Sequence, residues 1–143
     1  NGSVKNSVIA EGCEIEGTVV NSVLFSGVTV AKGAVIRDSV VMRNTHIDKG
    51  ASVSYSIIDV GVYVGNNAKI GEMKGKGIDL AVLGSGVRVQ DETVIPAGKI
   101  VDDSADSETI NKETVEPILN KITSRIKKHQ ILQVNIKEKE VVE

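Results

Sequence analysis

The sequence predicts a mainly β protein, a parallel β-helix wound from hexapeptide repeats, and three observations carry that expectation. Aliphatic residues fall at Leu24, Val30, Ile36, Val41, Ile47, Val53, Ile58, Val64 and Ile70, in recurring steps of six, six and five. Two positions before each stands a small or β-branched residue: Ser22, Val28, Ala34, Ser39, Thr45, Ala51, Ser56, Val62 and Ala68. Three positions before, at two of every three steps, stands Gly or Asn: Gly27, Gly33, Asn44, Gly50, Gly61 and Asn67. So short a period is the mark of a solenoid.

One aliphatic in six residues cannot line a helix face, which needs three or four in two turns. It does suit a short strand, a corner and another short strand. Three such sides close a coil of roughly seventeen or eighteen residues. The aliphatic points into the prism, and the small residue two earlier fits where the interior is tight. Gly or Asn turns the corner, because both accept positive φ at low cost. Each strand then pairs in parallel with its equivalent in the next coil.

Composition agrees with a narrow interior. Aromatics make up 2% of the 143 residues while hydrophobics make up 41%, a balance that Val and Ile filling a prism explain. The length suits one domain, or one domain with an appendage. A net charge of −2 gives no nucleic-acid footprint. Cys13 is the single cysteine, so no internal disulfide can form, and a reducing, cytoplasmic setting is expected. No apolar run is long enough to span a bilayer, and no signal peptide is expected within this stretch. The chain opens at Asn1 inside a repeat, without Met, and reads as a piece of a longer protein.

In chain order, residues 4–9 are expected to form the last side of an incomplete coil. Their motif recurs around Ser22, Ser39 and Ser56. The first coil is shorter, passing from Ile9 and Ile15 to the side ending at Leu24, with two residues missing near Gly17. Cys13 takes the small inward position before Ile15 and reads as a buried structural thiol. After Ile70 the rhythm breaks at 71–79, where about eight extra residues form a loop. Its Gly and Lys residues lack the Gly-Lys-Ser/Thr ending of a phosphate-cradling motif, so a solvated corner is expected. The inward set resumes at Leu83, Val89, Ile95 and Ile100.

Residues 102–109 are polar and acidic, as in a linker. From Thr114 the period becomes helical, with Val115, Ile118, Leu119, Ile122 and Ile126 on one face. Thr114 suits an N-cap and Pro117 the first turn. Leu132, Val134 and Ile136 then alternate like a short strand. The expected organisation is a hexapeptide β-helix of about five coils over 1–101, followed by a linker, a C-terminal helix capping the last coil and a short tail over 102–143. The cap would cover an otherwise open sheet edge.

The stretch VKNSVIAEGCEIEGTVVNSVLFSGVTVAKGAVIRDSVVM, with its short first coil, resembles the C-terminal β-helix of bacterial glucose-1-phosphate adenylyltransferases (ADP-glucose pyrophosphorylases) and their paralogous subunits. DLAVLGSGVRVQDETVIPAGKIV looks like that family's closing coil, so the resemblance covers roughly residues 4–101. It implies a left-handed winding. It also implies a parent nucleotidyltransferase that joins ATP and glucose 1-phosphate into ADP-glucose and pyrophosphate for glycogen synthesis, with Mg and ATP bound by an N-terminal catalytic domain. This stretch would then serve assembly, in a homo- or hetero-oligomer, and regulation. The resemblance assigns no catalytic, cofactor or metal residue to any position here, and the expected partners are the chain's own catalytic domain and other subunits rather than nucleic acid or membrane.

Two other chemistries use similar prisms. A hexapeptide acyltransferase with an acyl-CoA donor needs a His general base in a cleft. The candidates are His46, expected on the outer side of a strand, and His129 at the end of the expected helix. A zinc-dependent hydratase would need three His ligands, and the chain has two His in all.

Overall fold

The computed structural model describes residues 2–102. The linker from residue 103 on, the helix expected from Thr114, the alternating strand around Val134 and His129 lie outside the described residues.

Seventeen short strands make three parallel sheets, the three sides of a prism. Sheet A contains Ser3–Lys5, Thr18–Val20, Val35–Arg37, Ser52–Ser54, Lys69–Ile70 and Val94–Ile95. Sheet B contains Val8–Ile9, Val23–Leu24, Val40–Val41, Ser56–Ile58, Ala81–Leu83 and Ile100–Val101. Sheet C contains Glu14–Ile15, Thr29–Val30, His46–Ile47, Tyr63–Val64 and Arg88–Val89. The chain visits A, B and C in turn. The described residues therefore hold five complete coils and two sides of a sixth.

All nine aliphatics from Leu24 to Ile70 point inward and are fully shielded from solvent. Their partners two residues earlier are buried with them. The continuous core is the stack of these ladders, closed below by the partly buried Ile9, Cys13 and Ile15. Each inward residue lies on its equivalent in the next coil, as Leu24 does on Val41 and Val30 on Ile47.

Three expectations are corrected. Residues 4–9 span two sides rather than one, because Ser3–Lys5 joins sheet A and Val8–Ile9 joins sheet B. The first coil keeps all its sides. Val19 points inward at 0% exposure and pairs with Ile36. Only the corner at Glu16-Gly17 is short, since the pairing offset grows from 15 at Ile15–Val30 to 17 at Thr18–Val35. A Cβ on Gly17 would run into the carbonyls of Ala31 and Ala34, so the tight corner requires the missing side chain. In the last coil Val101, not Ile100, enters the core: Leu83 pairs with Val101 and Val82 with Ile100. The corner Pro96-Ala97-Gly98-Lys99 holds one residue more than its expected step of five.

The third corner also uses left-handed backbone, with Asn21, Asp38 and Tyr55 at φ of 50°, 49° and 47°. The serine that follows each makes the conformation affordable. Ser22 Oγ donates to Val20 O (2.8 Å), and Ser39 N–H in the next coil donates to Ser22 Oγ (3.1 Å). Ser39 Oγ donates to Arg37 O (2.6 Å), and Ser56 N–H donates to Ser39 Oγ (3.1 Å). These serines are therefore hydrogen-bonding corner pieces as well as small residues, which is why hydroxyls tolerate nearly complete burial. Thr45 acts similarly, giving its hydroxyl to Asp59 O (2.8 Å) and accepting Val62 N–H (3.2 Å).

The insertion at 71–79 leaves one corner between sheets A and B. Val53 pairs with Ile70 and Ser56 with Ala81, so a three-residue step becomes eleven without loss of register.

Candidate functional site

Alternation along each strand turns every second side chain outward, and coil-to-coil register stacks these into lines. On sheet C the outward line runs Glu14, Thr29, His46, Tyr63 and Arg88. Three of these side chains form a stack. The His46 and Tyr63 rings lie 5.4 Å apart and 5° from parallel. The Arg88 guanidinium sits over the other side of Tyr63, 4.7 Å from the ring centre, a cation–π contact.

Asp48, one turn of the pleat beyond His46, ties the stack down. Tyr63 donates its hydroxyl to Asp48 Oδ2 at 2.6 Å, and Lys49 N–H donates to Asp48 Oδ1 at 2.8 Å. The Tyr63 hydrogen bond, then the Lys49 amide, hold the Asp48 carboxyl below the usual carboxylate range. The same hydrogen bond pushes the Tyr63 phenol up, since ionising it would surrender the donor and set two negative charges together. His46 Nε2 stands 3.9 Å from Asp48 Oδ1, beyond hydrogen-bond distance. Both carboxylate oxygens already have donors, so Asp48 does not orient the imidazole as the acid of a catalytic dyad does. The arrangement is a half-exposed stack on a sheet face, held at one end by the Asp48 carboxylate.

The structure thus places His46 outward, as alternation requires, and assembles Tyr63, Asp48 and Arg88 around it. None of these three was singled out from the sequence. Adding the coil length identifies Tyr63, 17 residues after His46; Arg88 follows 25 later, the coil lengthened by the insertion. Cys13 is partly buried, its Sγ donating to Phe25 O at 3.1 Å, and burial pushes its thiol up, away from a reactive thiolate. Loop residues 72–77 are exposed. Lys74 overhangs a hollow of about 360 Å³ lined also by Asn21, Val23, Asp38, Ser39, Val40 and Tyr55. Among the described residues, no group of three or more His, Cys, Asp or Glu could hold a metal ion. Nor, among them, is any helix long and apolar enough to cross a membrane.

A prism of hexapeptide coils carrying surface ladders defines a hexapeptide-repeat β-helix protein. Residues 1–77 match the family described as GlmU-like, C-terminal hexapeptide, and the chain belongs to it. Among curated proteins, it is 50% identical over 70 residues to glucose-1-phosphate adenylyltransferase of Acetivibrio thermocellus, covering 49% of this chain and 16% of that one. It is 36% identical over 102 residues to glucose-1-phosphate adenylyltransferase of Clostridium perfringens strain SM101, covering 71% of this chain and 24% of that one. The chain therefore spans between a sixth and a quarter of the length of these relatives. A solved structure from Desulfovibrio desulfuricans G20, provisionally described as an acetyltransferase, overlaps 88% of this chain and 36% of that one. Its TM-score is 0.49 at 17% identity, a likeness too slight to argue from.

Proposed function

We propose that this chain is the assembly and regulatory part of a cytoplasmic glucose-1-phosphate adenylyltransferase or of a paralogous subunit of one, and that it is not itself catalytic. The observation that carries the reading is the relatives' match: proteins of that name align with this chain over a limited part of their length, and that part is β-helix here. Adenylyl transfer needs a phosphate-cradling loop, a metal-binding carboxylate and a sugar-phosphate cation held together. Most glycines here turn corners, and among the described residues the carboxylates do not gather into a group of three or more able to hold a metal ion. In this reading ATP and Mg bind a catalytic domain that adjoins the prism, and the prism's rigid faces set how subunits meet.

The test incubates the chain with ATP, glucose 1-phosphate and Mg²⁺, alone and fused behind the catalytic domain of the parent protein. Silence alone with pyrophosphate release from the fusion is expected, together with an oligomer on light scattering that the catalytic domain alone does not form. Pyrophosphate release from the chain alone overturns the reading. An arm with acyl-CoA and hydroxyl or amine acceptors probes the alternative; CoA release abolished by His46→Ala would make the chain an acyltransferase.

A further inference from the structure

The corner between sheets A and B carries a line of left-handed residues, Asn6, Asn21, Asp38 and Tyr55, at φ of 50°, 50°, 49° and 47°. Three of them follow the usual preference, because Asn and Asp tolerate that backbone. Tyr55 does not, since a bulky side chain at positive φ is an outlier. The corner's bonding does not require it: Ser56 Oγ donates to Ser54 O just as Ser22 and Ser39 donate to Val20 O and Arg37 O. An aromatic residue thus stands at position 55 against the preference of its backbone, and such residues cluster at functional sites. Tyr55 lines the hollow of about 360 Å³ under Lys74. That volume lies in the range of small-ligand sites, about 300–1,000 Å³. Val23 and Val40, outward on neighbouring strands of sheet B, give the hollow an aliphatic floor. Asn21 and Asp38 give it a polar edge. Asn21 Nδ2 stands 3.5 Å from Asp38 Oδ1, at the outer limit of a hydrogen bond, so both side chains keep capacity for other partners. Tyr55 adds a ring and a hydroxyl, and Lys74 an ammonium group from the inserted loop. Asp38 and Lys74 are the only charged residues of the lining, and their charges offset.

We propose that this hollow binds the ring of a neutral saccharide. This goes beyond the proposed function and does not depend on it. A sugar ring has two unlike surfaces. Its C–H faces pack on aliphatic and aromatic side chains, which Val23, Val40 and Tyr55 supply. Its rim is a row of hydroxyls, each both donor and acceptor. A carboxylate and an amide side by side, as at Asp38 and Asn21, accept from and donate to neighbouring hydroxyls, and the bonds to Asp38 are charge-assisted. Other ligands suit the lining less well. A phosphate would meet the Asp38 carboxylate, with a single lysine to offset the repulsion. A wholly apolar ligand would strip water from Asp38 and Lys74 and return no hydrogen bond.

Titration of the full chain with maltotriose and with cellobiose tests this, followed by calorimetry and by the ring signals of Tyr55 in NMR; Tyr63 is the only other tyrosine of the sequence. At least one of the two saccharides should bind with a Kd of about 1 mM or tighter and shift the Tyr55 signals. Tyr55→Asn puts a residue suited to left-handed backbone in place of the ring, so the variant should melt no lower than the parent chain and yet bind about tenfold more weakly. Asp38→Asn, equally compatible with the backbone, should weaken saccharide binding about fivefold or more, whereas Lys74→Gln should change it less than about threefold. Parallel titrations with inorganic phosphate and with adenosine probe the competing chemistries. Phosphate binding that strengthens in Asp38→Asn and disappears in Lys74→Gln would make the hollow an anion site. Adenosine binding tighter than either saccharide, with the same Tyr55 shifts, would make it a nucleoside site. Saccharide binding unchanged in Tyr55→Asn would place the sugar elsewhere on the chain. Each of these results overturns the proposal, as does the absence of a Tyr55 shift with both saccharides.

Discussion

Ser39→Ala separates two roles that one small residue can play. Ser39 is buried, and its hydroxyl works in two directions, donating to Arg37 O and accepting Ser56 N–H from the coil above. The substitution leaves Arg37 O with the Tyr55 N–H that it already accepts at 2.9 Å. Ser56 N–H fares worse, because it is left buried without an acceptor, and the space vacated by one oxygen does not admit water. An orphaned buried amide costs about 1–3 kcal/mol, so a loss of about 2 kcal/mol is expected. Ser56→Ala is the matched control. Ser56 is equally buried and donates to Ser54 O (2.7 Å), but the next coil's Ala81 N–H goes to Tyr55 O. Only a hydroxyl donation is lost there, worth about 1 kcal/mol or less. Equilibrium urea unfolding followed by circular dichroism gives both numbers, provided the slopes with denaturant agree. If the two variants lose the same stability within about 0.5 kcal/mol, the serine ladder is a matter of size alone and the argument fails.

Three further outcomes are expected. Ile47→Asp places an unpaired carboxylate in a wholly apolar core and should cost several kcal/mol, while Arg43→Ala on the exposed side should be nearly neutral; similar melting of the two would mean the inward register is wrong. Gly17→Ala forces a Cβ against two backbone carbonyls at the short corner and should cost at least about 2 kcal/mol by urea unfolding, whereas a neutral result would show that the first coil can widen. Tyr63→Phe removes the donor that lowers the Asp48 carboxyl, so its titration followed by NMR should move up toward the ordinary range. Because the folded-state value is depressed, this contact stabilises the protein above the unfolded carboxyl range and is lost as pH falls through the folded value. The variant should therefore show a shallower loss of stability in acid.

The inward ladder from Leu24 to Ile70 was legible because six-residue steps admit one phase only. Legibility failed at two corners whose length changed by one or two residues. At Glu16-Gly17 two missing residues hid Val19. At Pro96-Ala97-Gly98-Lys99 one added residue shifted the phase, and Ile100-Val101 offered two aliphatics with nothing local to choose between them. A slip of one residue reverses which side chain faces the core, so only pairing with Val82 and Leu83 decides. The serines' spacing was visible but not their hydrogen bonds, since size and hydroxyl chemistry recommend the same residue. The orientation of His46 followed from alternation. Its neighbours Tyr63 and Arg88 arrive from other coils, and their meeting depends on register, which composition and motif do not encode.

The eight-residue insertion has a consequence for how the chain folds. Every strand pairs only with the coil before or after it, at an offset of 17 residues through the middle of the prism and 25 across the insertion. Closing a 25-residue loop instead of a 17-residue one costs about 0.3 kcal/mol in chain entropy, from the logarithmic dependence on length. Such a toll is smaller than one hydrogen bond. The prism can therefore assemble coil by coil, like a zipper whose teeth are fixed and whose tape has slack. A corner can lengthen there without delaying the next coil, which leaves Lys74 and its neighbours free to vary while the interior beneath them stays the same.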